Sequence, residues 1–208
     1  MAEELGKIEK PPAENFKKGR KLIFVPAIYL VEGLPADYAE KFNLYWEQVE
    51  KHIAELSSKL GELNVIYHEL IAISGEEGAA SLKDLNNQGY KIAKACIDKK
   101  ARLEAMEDVD LLTEFMDWSR CLLVGLQNQK VFTTVYESYS EIGKKRNDFI
   151  TRKINETLKP DEIGIFFMRE NHQVQIPPDI QVFYISPPAL DDIKRWLRDR
   201  EAKEENKP

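Results

Sequence analysis

The sequence predicts a three-layer α/β fold, with a mostly parallel sheet of about five strands and long helices on both faces. Two observations carry this. Apolar runs such as KLIFVPAIYLV and IGIFFM have no polar face, as strands covered on both sides require. Between the first four runs lie amphipathic segments long enough to return the chain for a parallel crossover. The closing pair differs: about eleven residues separate IGIFFM from IQVFYIS, so these strands are expected to be antiparallel or joined by an irregular excursion.

Taken in order, residues 1–20 mix Glu, Lys and Pro with little apolar content, and a flexible tail is expected there. The first strand starts at Lys21, and Pro26, which cannot donate to a ladder, marks a bend or its end. A long helix follows from Pro35, where Tyr38, Phe42, Tyr45, Val49, His52 or Ile53, Leu56 and Leu60 recur at three- and four-residue steps until Gly61 stops it. VIYHELIAIS reads as the second strand, SGEEGAASLKDLNNQGYKIAKACI as a turn and a helix weakened at Gly89, and ARLEAM as a short third strand. A helical region from about 109 to 158 carries Phe115, Trp118, Leu122, Phe132, Tyr136 and Tyr139 on one face, with Gly125 and Gly143 as points of division. After the last two strands, Ser186-Pro187-Pro188 breaks the chain, ALDDIKRWLRDR forms a closing helix, and residues 201–208 resemble the first tail. One domain over residues 21–200 is the expected organisation.

Composition narrows the function. A content of 43% hydrophobic and 32% charged residues is that of a globular chain, and a net charge of −6 disfavours broad attachment to nucleic acid or anionic membrane. No apolar run reaches the length of a membrane span, and the charged opening MAEELGKIEK is unlike a signal peptide, so a cytoplasmic protein is expected. Cys96 and Cys121 fit no zinc or redox spacing and read as reduced thiols in helices. The aromatic and aliphatic stripe along residues 109–139 exceeds what one sheet can cover, which predicts a homodimer.

Sites in open α/β folds lie at the carboxyl ends of strands, which draws attention first to His172, where a buried strand gives way to a loop. His68 and Glu69 stand at or near the end of the second strand, Glu104 in the third, and Arg146 and Asn147 in the long helix. Two imidazoles and a carboxylate would suit a transition metal. Side chains alternate along a strand, however, so His68 and Glu69 face one site only if the strand has already ended. The plainer expectation is that His68 packs against a helix, Glu69 is solvated, and no metal or other cofactor is bound. The run Gly143-Lys144-Lys145-Arg146 offers a cationic spot for a small anionic ligand, or else a solvated helix face beside Glu141 and Asp148. Ser74-Gly75-Glu76-Glu77-Gly78 suits a helix cap, not a phosphate cradle, because its acidic residues stand where the anion would lie. The twelve helical steps from Arg146 to Leu158 span roughly 18 Å. An antiparallel helix on its own strand therefore carries Arg146 to the level of His172.

The stretch KKRNDFITRKINETL followed by IGIFFMRENHQV resembles part of the TraB/ChaN/erythromycin-esterase-like family, in which an Arg-Asp or Arg-Asn helix precedes a hydrophobic strand ending in Gly-x-x-His. The resemblance covers residues 141–175 or so. It implies metal-dependent or acid/base hydrolysis, and a pocket lined by Glu69, Arg146 and His172. The family's early Gly-x-x-His has no counterpart in FVPAIYLVEG, and Arg169-Glu170-Asn171 stand before His172.

Two functions follow from different classes. The favoured one is a non-catalytic, dimeric ligand-sensing or adaptor module, supported by the missing second histidine, the aromatic-rich helices and the charged tails. The alternative is a hydrolase with Glu69 as base, Arg146 as anion anchor and His172 as ligand, with Asn147 and Glu104 contributing to binding.

Overall fold

The structure, a computed structural model, describes residues 18–30, 33 and 35–205 of the 208-residue chain. Five strands, β1 (Lys21–Pro26), β2 (Val65–His68), β3 (Arg102–Leu103), β4 (Ile163–Met168) and β5 (Gln181–Tyr184), form one sheet in the order β3-β2-β4-β1-β5. Its helices are α1 (Ala36–Leu60), α2 (Gly75–Leu85), α3 (Asn87–Ile97), α4 (Val109–Leu123), α5 (Gln129–Thr157) and α6 (Pro188–Glu205).

Alternation along the central strands divides the core in two. Ile23, Val25, Ile165 and Phe167 point to one face, where Phe42, Tyr45 and Val49 of α1, Ile92 of α3 and Ile193 of α6 cover them. Leu22, Phe24 and Phe166 point to the other, beneath Ile150 and Ile154 of α5. All six β4 residues are buried, as are all six of β1, which explains their lack of a polar face. Burying a side chain such as Phe42 or Val49 contributes about 1.5–3 kcal/mol, and this burial holds the three layers together.

Of the two arrangements expected for the last two strands, antiparallel pairing does not occur and the irregular excursion does. β4 and β5 are not neighbours; they flank β1, and both run parallel to it. Residues 169–180 make the return without a helix. These twelve residues are long enough, at roughly 3.3 Å each, to go from the carboxyl end of β4 to the amino end of β5. Val174 and Ile180 bury themselves on the α5 face along the way, so the segment acts as part of that layer.

Other boundaries shift for local reasons. The helix expected after the second strand divides at Asn86, not at Gly89: the Asn86 side chain accepts a 3.0 Å hydrogen bond from the Gly89 amide and caps α3. Gly125, at φ +71°, lies between α4 and α5, whereas Gly143 continues the helix. The third strand shrinks to two residues. Arg20, placed in the flexible tail by composition, is anchored by two 2.8 Å bonds to the Asp179 carboxylate and one of 2.8 Å to Asn155. At the other end α6 continues to Glu205, through good helix formers that the sequence reading assigned to a tail. The tail expectations for residues 1–17 and 206–208 lie outside the described residues. Among the described residues no helix is long and apolar enough to cross a membrane.

α5 is seated on the sheet by a glycine. A methyl group on Gly164 would lie 2.9 Å from Leu22, 3.1 Å from Tyr67 and 3.3 Å from Leu158, at the point where the end of α5 meets β4. Gly164→Ala is expected to lower stability by about 1–3 kcal/mol through overpacking, read from the urea unfolding midpoint at unchanged slope.

Candidate functional site

The connection after β2 leads outward to β3, whereas the one after β4 leads across β1 to β5. The chain thus leaves these neighbouring strands in opposite directions, which opens a crevice at their carboxyl ends. A cavity of about 230 Å³ occupies this place. Its floor includes Glu69 after β2 and Arg169 and His172 after β4; its wall comes from α5 and from Phe115 of α4.

Glu69 is not solvated, as the plain sequence reading had it. It is 1% exposed, because the strand ends at His68 and the chain turns inward. Its carboxylate accepts a 2.9 Å bond from the Tyr29 hydroxyl, and both its oxygens lie 3.3 Å from Arg169 Nε. Burial, with the Glu69 charge beside it, raises the Tyr29 pKa well above its ordinary value, so this phenol is a fixed donor.

The next residue, Leu70, takes a left-handed conformation at φ +67°. Its amide is turned so that it donates 3.0 Å to Glu107 Oε1. Glu107 lies just beyond β3, and the amides of Met106 and Glu107 both donate to the Ile71 carbonyl, at 2.8 and 3.1 Å. These bonds lock the loops after β2 and β3 together. Glu107 also receives both arms of Arg146, with Nε 2.8 Å from Oε2 and Nη2 bonded to Oε1. Both side chains are buried, and the guanidinium carbon lies 5.0 Å from the Phe115 ring centre.

Arg146, Glu69, Asn147 and His172 therefore share one cleft, as the register of helix and strand suggested. Glu104 does not line it: its carboxylate accepts a 3.0 Å bond from Arg102 Nε in an ion-pair cluster with Glu162. Sequence reasoning missed Glu107 and Tyr29. The signal for Glu107 was its position at the exit of a strand, obscured by the acidic run that also opens α4, where Asp108 is the cap.

His172 is half buried beside Phe24 and Phe166, at 5.0 and 5.7 Å between ring centres. Its Nδ1 accepts 3.2 Å from the Val174 amide, and burial lowers its pKa. The neutral ring then keeps its proton on Nε2, and there it is a donor. His68 belongs to the other face. It packs on Phe167 at 5.5 Å, donates from Nδ1 to the Glu69 carbonyl at 2.6 Å, and is fully buried. Because Phe166 and Phe167 alternate along β4, the two imidazoles contact opposite sides of the sheet. Among the described residues no group of three or more His, Cys, Asp or Glu is gathered to hold a metal ion.

The donors at the cleft are less engaged than its acceptors. Arg169 bonds Glu69 through Nε alone, and its side chain is 50% exposed. Lys144 has no ion-pair partner among the described residues, in contrast to Lys145, which pairs with Glu141. Comparison with models of protein families, with curated proteins and with solved structures finds no match.

Two measurements test this geometry. Removing one member of the Arg146–Glu107 pair leaves a buried charge uncompensated, so Glu107→Gln is expected to cost about 3–5 kcal/mol, read by urea denaturation. Burial holds the His68 pKa down, from 6.5 to about 4, so the folded protein resists its protonation. The stability contributed is full above pH 6.5 and is lost as the pH falls towards 4, by roughly 3 kcal/mol. His68→Phe should lose that much less stability than the wild-type protein over the same interval.

Proposed function

We propose that this protein is a non-catalytic, dimeric sensing module that holds a small anionic ligand in the cleft between β2 and β4. One observation carries the reading: Glu69, the acidic residue that lines the cleft, already has partners in Tyr29 and Arg169, whereas several of the donors that line it have none among the described residues. Glu107, outside the lining, is bonded by Arg146 and Leu70 and leaves no further free carboxylate beside them. The Arg169 terminal nitrogens, the Lys144 amine and the side-chain carboxamides of Asn147 and Asn171 make no hydrogen bond among the described residues, and His172 adds an Nε2 donor. Such a set favours an anion, at little cost in rearrangement.

The dimer rests on α4, which buries none of its fifteen residues. Leu123, Val124, Val131 and Phe132 around the α4–α5 turn are also exposed. Two helices alone leave an apolar face open, and an isologous pair of such hairpins would close it as a four-helix bundle.

The hydrolase reading implied by the TraB/ChaN-like resemblance has one point in its favour, namely that Glu69, Arg146 and His172 line the same cavity. Against it, Glu69 is already bonded to Arg169 and Arg146 to Glu107, and His172, whose Nδ1 accepts the Val174 amide, carries its proton on Nε2, where it can donate but not serve as a metal ligand.

Inorganic phosphate is expected to raise the unfolding temperature of the wild-type protein and to have less than half that effect on Arg169→Met. An equal shift in both proteins, or none in either, would overturn the anion site. Light scattering at micromolar concentration should give twice the chain mass, and Phe132→Asp should halve it.

A further inference from the structure

The anion site accounts for only half of the cleft. Opposite Arg169 and His172, the wall supplied by the α4–α5 hairpin is aromatic: Phe115 and Tyr139 stack with ring centres 5.0 Å apart, and Tyr136 stands one turn earlier on the same helix. None of these rings is buried: Tyr136 is 53% exposed, and Phe115 and Tyr139 are partly open. Tyr136 in turn stacks on Phe132, with ring centres 6.0 Å apart, so the wall is a run of paired rings with aromatic surface still exposed for a planar ligand to cover. The tyrosine hydroxyls make no hydrogen bond among the described residues. Between the two walls stand carboxamides, Asn147 on α5 and Asn171 and Gln173 on the segment after β4.

This combination distinguishes among anions. A bare phosphate or carboxylate would use the cations and leave the rings and amides idle. Planar heterocycles stack on aromatic side chains, and Asn and Gln offer the paired donor and acceptor that a base edge requires. Resting on the anion-site reading, we infer that the ligand is a mononucleotide, its phosphate held by Arg169 and Lys144 and its base against Tyr136 and Tyr139, with Asn147 and Asn171 in reach of the base edge.

The test is a calorimetric titration of the full chain with AMP, GMP, ribose 5-phosphate and inorganic phosphate at fixed ionic strength. At least one nucleotide is expected to bind ten times or more tighter than ribose 5-phosphate. Tyr139→Leu should remove most of that margin and leave phosphate affinity within about twofold. Tyr136→Ala truncates a half-exposed ring, and with an unfolding temperature near that of the wild-type protein it should reduce the same margin at least threefold. If phosphate and ribose 5-phosphate bind but neither nucleotide gains over them, the mononucleotide inference falls and the anion site stands. A nucleotide margin unchanged in both tyrosine variants would overturn the inference too, by placing the base elsewhere. If none of the four compounds binds, both readings fall together.

Discussion

The buried pair between Arg146 and Glu107 is the constraint on which the cleft depends. Each charge on its own would be held out of water at a cost of several kcal/mol, so each is tolerable only where the other is. The pair fixes more than itself, because Glu107 also takes the Leu70 amide and thereby holds the chain after β2 in a left-handed turn. One carboxylate thus joins α5, the exit of β3 and the exit of β2. That turn carries Glu69 inward beneath Arg169. On α5 the same anchoring sets the helix phase: Tyr136, Tyr139, Ser140, Gly143 and Asn147 recur at three- and four-residue steps, and all line the cavity.

A mismatch of lengths explains the hairpin. The 29 residues of α5 span about 43 Å, whereas the six residues of β4 on which it lies span about 20 Å. Half of the helix must therefore extend past the sheet. Its buried residues reflect this, with Ile142, Arg146, Ile150 and Ile154 at regular steps towards its end and only Val135 before them. The part beyond the sheet has α4 as its neighbour, and the exposed apolar side chains gather there. The cleft lies where the two halves of α5 meet, with strand ends on one side and the hairpin on the other.

Much of the fold was legible in residues whose pattern has one physical meaning. IGIFFM has no polar position and can only be a strand covered on both faces; the stripe from Tyr38 to Leu60 with Gly61 after it can only be a long amphipathic helix. The helix-and-strand register that carried Arg146 to His172 rests on the same fixed dimensions. What escaped depends on contacts distant in sequence. Whether IQVFYIS pairs beside β4 or beyond β1 is decided by which edge is open, and nothing local encodes that. Glu69 reads as solvated until Tyr29, forty residues earlier, is seen to donate to it. Glu107 reads as one more acid at a helix start until Arg146, thirty-nine residues later, lies on it.

The same division separates what shapes the cleft from what remains free to bind. Bonds formed across long separations consume Glu69, Glu107 and Arg146, a local one to Val174 takes the Nδ1 of His172, and all of them form without a ligand. Among the described residues the side chains of Lys144, Asn147 and Asn171 have no hydrogen-bond partner, and Arg169 has one only at Nε. A ligand bound there meets a rigid floor, fixed by the sheet and its buried ion pair, and a wall belonging to the least enclosed part of the chain. Contacts to the floor set affinity with little reorganisation, whereas contacts to Tyr136 and Tyr139 must hold the hairpin in one position against the sheet. Any ligand that touches both walls therefore couples its own binding to the placement of α4 and the first half of α5, the surface on which the proposed dimer depends.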